Sequence, residues 1–104
     1  MPLYGRFGTI RATPGQRDAL LGILLEASRG AKTMLGCRLY VVGPVMGDAD
    51  AIAVTEVWDD KAAHAASLSL ESVRATIAMA RPLIAGTGTA TEFEPVASVT
   101  GLGG

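Results

Sequence analysis

Four residues, GDAD at positions 47–50, separate two runs suited to extended backbone, CRLYVVGPVM and AIAVTEVW. So short a linker of turn formers can only return the chain beside itself, so the two runs form an antiparallel hairpin. Gly43 and Pro44 bend or end the regular part of the first run. Upstream, Leu20, Ile23, Leu24, Ala27 and Ala31 recur at helical spacing, with Arg17, Glu26 and Arg29 nearer water. The preceding TPGQ offers Thr13 as cap, Pro14 for the first helical position and Gln16 to complete a capping box. Gly22 costs that helix up to ~1 kcal/mol, which points to close packing there. Residues 3–12 alternate as a strand. Downstream, Asp59 or Asp60 caps a short helix running to Ser67, and Ser69 caps a second with Val73, Ile77 and Ala80 on one face. Pro82 disturbs the end of that helix and Gly86 closes it. TGTATEFEPVASV, at 87–99, then reads as a last strand.

The order is β-α-β-β-α-β, which predicts an α+β, ferredoxin-like fold with a four-stranded antiparallel sheet and both helices on one face. The chain's 104 residues suit one domain, 1–100, followed by a loose tail at 101–104. Hydrophobic residues make up 49% of the chain, more than one sheet face can hide under two helices. Phe7, Leu39, Val41, Val57 and Phe93 cannot all lie there together with Tyr4, Ile10, Val42, Ile52, Val54 and Trp58. Face-to-face pairing of two copies into a barrel-like homodimer covers the remainder.

Charge and cysteine usage narrow the function. The nine Lys and Arg are dispersed and the formal charge is -1, which argues against a nucleic-acid or anionic-membrane surface. No run approaches the roughly 20 apolar residues of a membrane span. Cys37 is alone and reads as a small buried hydrophobe; one Cys and one His cannot build a zinc cluster. A soluble protein in a reduced, cytoplasmic setting is expected.

Chemistry concentrates in EVWDDKAAHAASL, at 56–68, which holds the chain's one tryptophan and one histidine. Strand alternation puts Glu56 and Trp58 on one side with Ile52 and Val54. A carboxylate on that face needs a partner, and Arg38 or Arg6 on a neighbouring strand can supply one. His64 stands four residues before Leu68, so it leans inward if Leu68 does. The three groups can then converge on one hollow, to which the neighbouring alanines give room. The plain alternatives are that Trp58 fills core, Glu56 makes a structural ion pair, His64 is an ordinary hydrogen-bonded histidine and Tyr40 an ordinary strand residue. The glycines at 86 and 88 lack a phosphate-loop pattern.

Three stretches together, GCRLYVV at 36–42, VTEVWDDKAAHAASL at 54–68 and ARPLIAG at 80–86, resemble the antibiotic biosynthesis monooxygenase family of dimeric α+β barrels. The resemblance implies a homodimer that oxidises a small phenol, quinol or polyketide-like aromatic with molecular oxygen, using no metal, flavin or haem. It implies His64 as base or hydrogen-bond donor and Trp58 as donor or pocket wall. Glu56 stands beside them, with Tyr40 and Arg38 or Arg81 steadying negative charge. In one respect the chain departs from the pattern: it contains no asparagine, and Val54 stands where family members carry one before the tryptophan. Related folds isomerise or degrade carbonyl compounds, or only bind small molecules, and Glu56 with His64 would suit proton shuttling there.

Overall fold

The computed structural model describes residues 2–88 and 90–96. Strand β1 (Tyr4–Ala12) leads into helix α1 (Arg17–Ala31), then the hairpin β2 (Cys37–Pro44) and β3 (Ala51–Trp58). Helices α2 (Lys61–Ser67) and α3 (Glu71–Ala80) follow, then a 3-10 turn (Arg81–Leu83) and strands β4 (Ile84–Thr87) and β5 (Thr91–Phe93). The sheet runs β2-β3-β1-β4, with β5 also on β1 and each of these pairings antiparallel. This is the expected ferredoxin-like α+β arrangement. The tail at 101–104, and the part of the last strand at 97–99, lie outside the described residues.

Register decides which residues share a face. Tyr4 lies opposite Trp58, Arg6 opposite Glu56 and Ile10 opposite Ile52, while Tyr40 and Val42 of β2 face Glu56 and Val54. This is the helix-covered side. Its core joins Ala12, Ile52, Leu20, Leu24 and Ala80, with Ile10, Val42, Val54 and Ile84 packed around them. The stripe on α1 is therefore the inward face, as its spacing requires. Leu20 is fully buried. Leu20→Ala removes its methyls from a packed site, and a loss of about 2–5 kcal/mol in urea-unfolding free energy is expected. A loss under about 1 kcal/mol would show that this core is loosely packed.

Four local expectations need correction. Helix α1 starts at Arg17, with Gln16 at its N-cap making no side-chain bond. Thr13-Pro14-Gly15-Gln16 is instead a tight turn, closed by the Gln16 N–H to the Thr13 carbonyl at 2.9 Å, with Gly15 at φ 81°. Proline followed by left-handed glycine favours that turn over a helical first step. Gly22 is exposed, and nothing lies within 4 Å of where its Cβ would be, so close packing does not explain it. Ser69 caps nothing: Leu70 precedes α3 without a side-chain bond, whereas Asp60 caps α2 by accepting the Ala63 N–H at 2.7 Å. The last strand begins earlier than its composition suggests and comes in two pieces, β4 and β5, so Gly86 sits within β4 rather than ending a helix. Ile84 pairs with Ala12 and joins the core, which draws the backbone into the sheet at once after the proline turn.

No helix among the described residues is long and apolar enough to cross a membrane.

Candidate active site

Glu56 and Trp58 end β3 two residues apart and so project together toward the helices. The chain turns at Asp59, whose N–H bonds the Gly36 carbonyl at 2.8 Å, and Gly36 takes φ 85° to present it. The capped helix α2 then carries His64 inward, only 8% exposed. Its inward companion is Ser67, one turn on, whose hydroxyl donates to the His64 carbonyl at 2.6 Å. Leu68, from which the sequence places His64, is itself half exposed.

Between the sheet, α1 and α3 lies a hollow of about 280 Å³. Tyr40, Glu56, Trp58, His64 and Ser67 form its polar end, and Leu24, Ala27, Met34, Val73 and Ile77 its apolar walls. The indole N–H of Trp58 is spent on Glu56 Oε1 at 3.1 Å, so the ring serves the hollow as a wall. Glu56 Oε2 is 3.9 Å from Arg6 Nε, and Oε1 is 3.9 Å from His64 Nε2, too far for a hydrogen bond. Of the two partners the sequence offers Glu56, Arg6 is the one beside it. The imidazole sits edge-on to Trp58 with ring centroids 5.6 Å apart, and against Tyr4 at the same separation.

Burial lowers the His64 pKa from its ordinary value, more than the Glu56 charge beside it raises it, so the imidazole is neutral at pH 7. Burial, then the charge of Glu56 and that of Cys37, push the Tyr40 phenol up to about 12. Tyr40 therefore keeps its O–H, and among the described residues no group bonds that hydroxyl. Cys37 is half-buried; burial raises its pKa, and its thiol lies 3.8 Å from the Leu39 carbonyl.

Arg38 and Arg81 are not brought to the hollow. The bulge between Cys37 and Leu39 turns Arg38 outward, where its Nε meets Asp59 Oδ1 at 2.5 Å. Arg81 opens the exposed 3-10 turn. Tyr4, Ser67 and Met34 belong to the neighbourhood without having been foreseen. Tyr4 reaches His64 through the β1–β3 register and donates its hydroxyl to Glu92 Oε2 at 2.7 Å, with Lys61 Nζ 3.0 Å from the same oxygen. Ser67 was within reach of sequence reasoning, three residues after His64 on one helix face. No cluster of three or more His, Cys, Asp or Glu able to hold a metal occurs among the described residues.

The family model for antibiotic biosynthesis monooxygenase matches residues 4–79, a span that includes β1 and every polar group of the hollow. Among solved structures, a candidate antibiotic biosynthesis monooxygenase from Chloroflexus aurantiacus is 53% identical, with a TM-score of 0.85 over 92% of this chain and 95% of that one. Protein PA3566 of Pseudomonas aeruginosa, at 21% identity, superposes with a TM-score of 0.83 over 93% and 97% of the two chains. A candidate monooxygenase of the same name from Caulobacter crescentus, 18% identical, gives 0.83 over 92% of each. These last two likenesses establish the fold. No curated protein matches the chain. On the family match and the Chloroflexus likeness together, the chain belongs to the antibiotic biosynthesis monooxygenase family.

Proposed function

We propose that this protein is a monooxygenase that oxidises a small phenol or quinol with molecular oxygen, without metal, flavin or haem. The observation that carries the reading is a neutral, buried imidazole opening on the same largely apolar hollow as an unpartnered tyrosine hydroxyl. A phenol seated there loses its O–H proton to His64, and Tyr40 donates a hydrogen bond to the phenolate oxygen. The phenolate passes one electron to O2, giving a phenoxyl radical and superoxide, which join at a ring carbon as a peroxide anion. That anion takes the proton back from the imidazolium. The O–O bond then breaks as the ring C–H proton leaves, so one oxygen stays as a quinone carbonyl and the other departs as water. Trp58 walls the ring site, and Glu56 holds the indole in place. The apolar surroundings exclude water from the charged intermediates.

The test is oxygen uptake by metal-free protein with a panel of hydroquinones and anthrones. Turnover on at least one is expected, and Tyr40→Phe should lower kcat/KM by about 10- to 100-fold, the worth of a hydrogen bond to a charged oxygen. No uptake with any member would sink the reading. A second reading has its own observation: Glu56 and His64 lie 3.9 Å apart, close enough to relay a proton through a bound hydroxy-carbonyl. Deuterium exchange into such a compound under nitrogen would favour that isomerase chemistry.

The working unit in this proposal is a homodimer. The sheet face away from the helices carries Phe7, Val41 and Phe93, which are 47%, 53% and 39% exposed, beside Leu39 and Val57. A second copy laid on that face would cover it.

A further inference from the structure

A second hollow, of about 620 Å³, lies beyond the end of α1 and beside α2. It shares Gly30, Met34, Ser67 and Ser72 with the hollow at His64, so the two adjoin across those four residues. Three of the four, Gly30, Ser67 and Ser72, are small, and a Cβ at Gly30 would meet nothing within 4 Å. We infer that the outer hollow is a subsite for a neutral, flexible alkyl substituent carried by the same phenol or quinol whose ring sits at His64.

Two observations set that chemistry. Leu35, 95% exposed, and Leu70 stand on the outer hollow, where an alkyl chain would take their surface from water. Asp59 and Asp60 line it too, and no Lys or Arg does. Asp60 is engaged by the Ala63 N–H and Asp59 by Arg38, so an anionic end group would meet two carboxylates and a guanidinium that one of them already holds. A ring without a substituent would fill the inner hollow and leave the outer one to water. The inference rests on the proposed ring site but not on the oxidation step.

The experiment measures dissociation constants for hydroquinone and its methyl, butyl and hexyl derivatives under nitrogen. Quenching of Trp58, the one tryptophan, is the signal. A hexyl chain ending in carboxylate joins the series. Each added methylene should tighten binding roughly two-fold, against about four-fold for full burial, and the carboxylate should bind more weakly than hexylhydroquinone. Ala66→Phe fills only the outer hollow from an exposed helix position. It should flatten the series while leaving the hydroquinone constant unchanged. Leu35→Glu, at a residue whose loss cannot unfold the core, should weaken the long chains alone. A flat series in the unmodified protein, or a slope that survives both variants, would overturn the subsite. Oxygen uptake on the same compounds separates the two ideas. A chain-length trend without uptake keeps the subsite and defeats the oxygenase reading. Uptake without a trend defeats the subsite alone, and no quenching by any member defeats both.

Discussion

His64→Ala is expected to lower kcat by about 10²–10⁴-fold, the range by which a positioned base speeds proton transfer. Stability should suffer far less. The imidazole is held by ring contacts with Trp58 and Tyr4, its nearest carboxylate oxygen is beyond hydrogen-bond reach, and it borders space that is already open. A fall of no more than about 1–2 kcal/mol follows. The pH profile carries an independent check. Only the neutral imidazole can accept a proton, and burial has moved its pKa below the ordinary 6.5. The rate should therefore climb with pH below that value and be level by pH 7. The folded protein also binds fewer protons at this site than the unfolded chain. His64 thus destabilises the fold progressively as pH drops from about 6.5 through the lowered pKa, and has no effect above that window. In the alanine variant the fall in Tm between pH 7.5 and 5 should be smaller than in the unmodified protein. A rate that keeps rising above pH 8, or an alanine variant with full turnover, would remove His64 as the base.

The sequence could show these groups one element at a time, because alternation on β3 and the turn of α2 are local properties. Glu56 and Trp58 two apart on a strand, and His64 behind the Asp60 cap, needed only a period and a capping residue. What lay beyond local reading was set by pairing between distant strands. The register that puts Tyr4 opposite Trp58 and Arg6 opposite Glu56 is invisible in either strand alone. The bulge that sends Arg38 to Asp59 likewise exists only once β2 has docked on β3. Simple alternation counted back from Tyr40 would put that arginine on the same face as Tyr40. The split of the last strand follows from β1 offering partners at Ile10–Ala12 and again at Gly5–Phe7, not from anything in TGTATEFEPVASV itself. The surplus of apolar residues, by contrast, was legible without pairing, but which of the two sets faces away from the helices was not: the register turns Phe7, Leu39, Val41, Val57 and Phe93 that way.

That face supplies the second large effect. In a two-fold dimer each residue on the face meets the partner's copy of the same surface. Val41→Arg would therefore bring two like charges into an apolar interface with no acid among Phe7, Leu39, Val57 and Phe93 to pair them. The cost of burying such charges is several kcal/mol, so the dimer dissociation constant should rise at least about 10³-fold. Analytical ultracentrifugation should find the unmodified protein at twice the chain mass of 10.7 kDa and the variant at the chain mass itself. The fold should hold, because Val41 is half exposed and lies outside the core cluster. A monomeric unmodified protein would remove the homodimer from the proposal. The variant also asks whether the site needs its partner. Tyr40 and Val41 are adjacent on β2 but point to opposite sides of the sheet, and Tyr40, Glu56, Trp58 and His64 all come from one chain. The separated subunit should thus bind hydroquinone with an unchanged constant. A loss of binding that tracks dissociation would mean that the second copy braces the strands from which those four side chains reach the hollow.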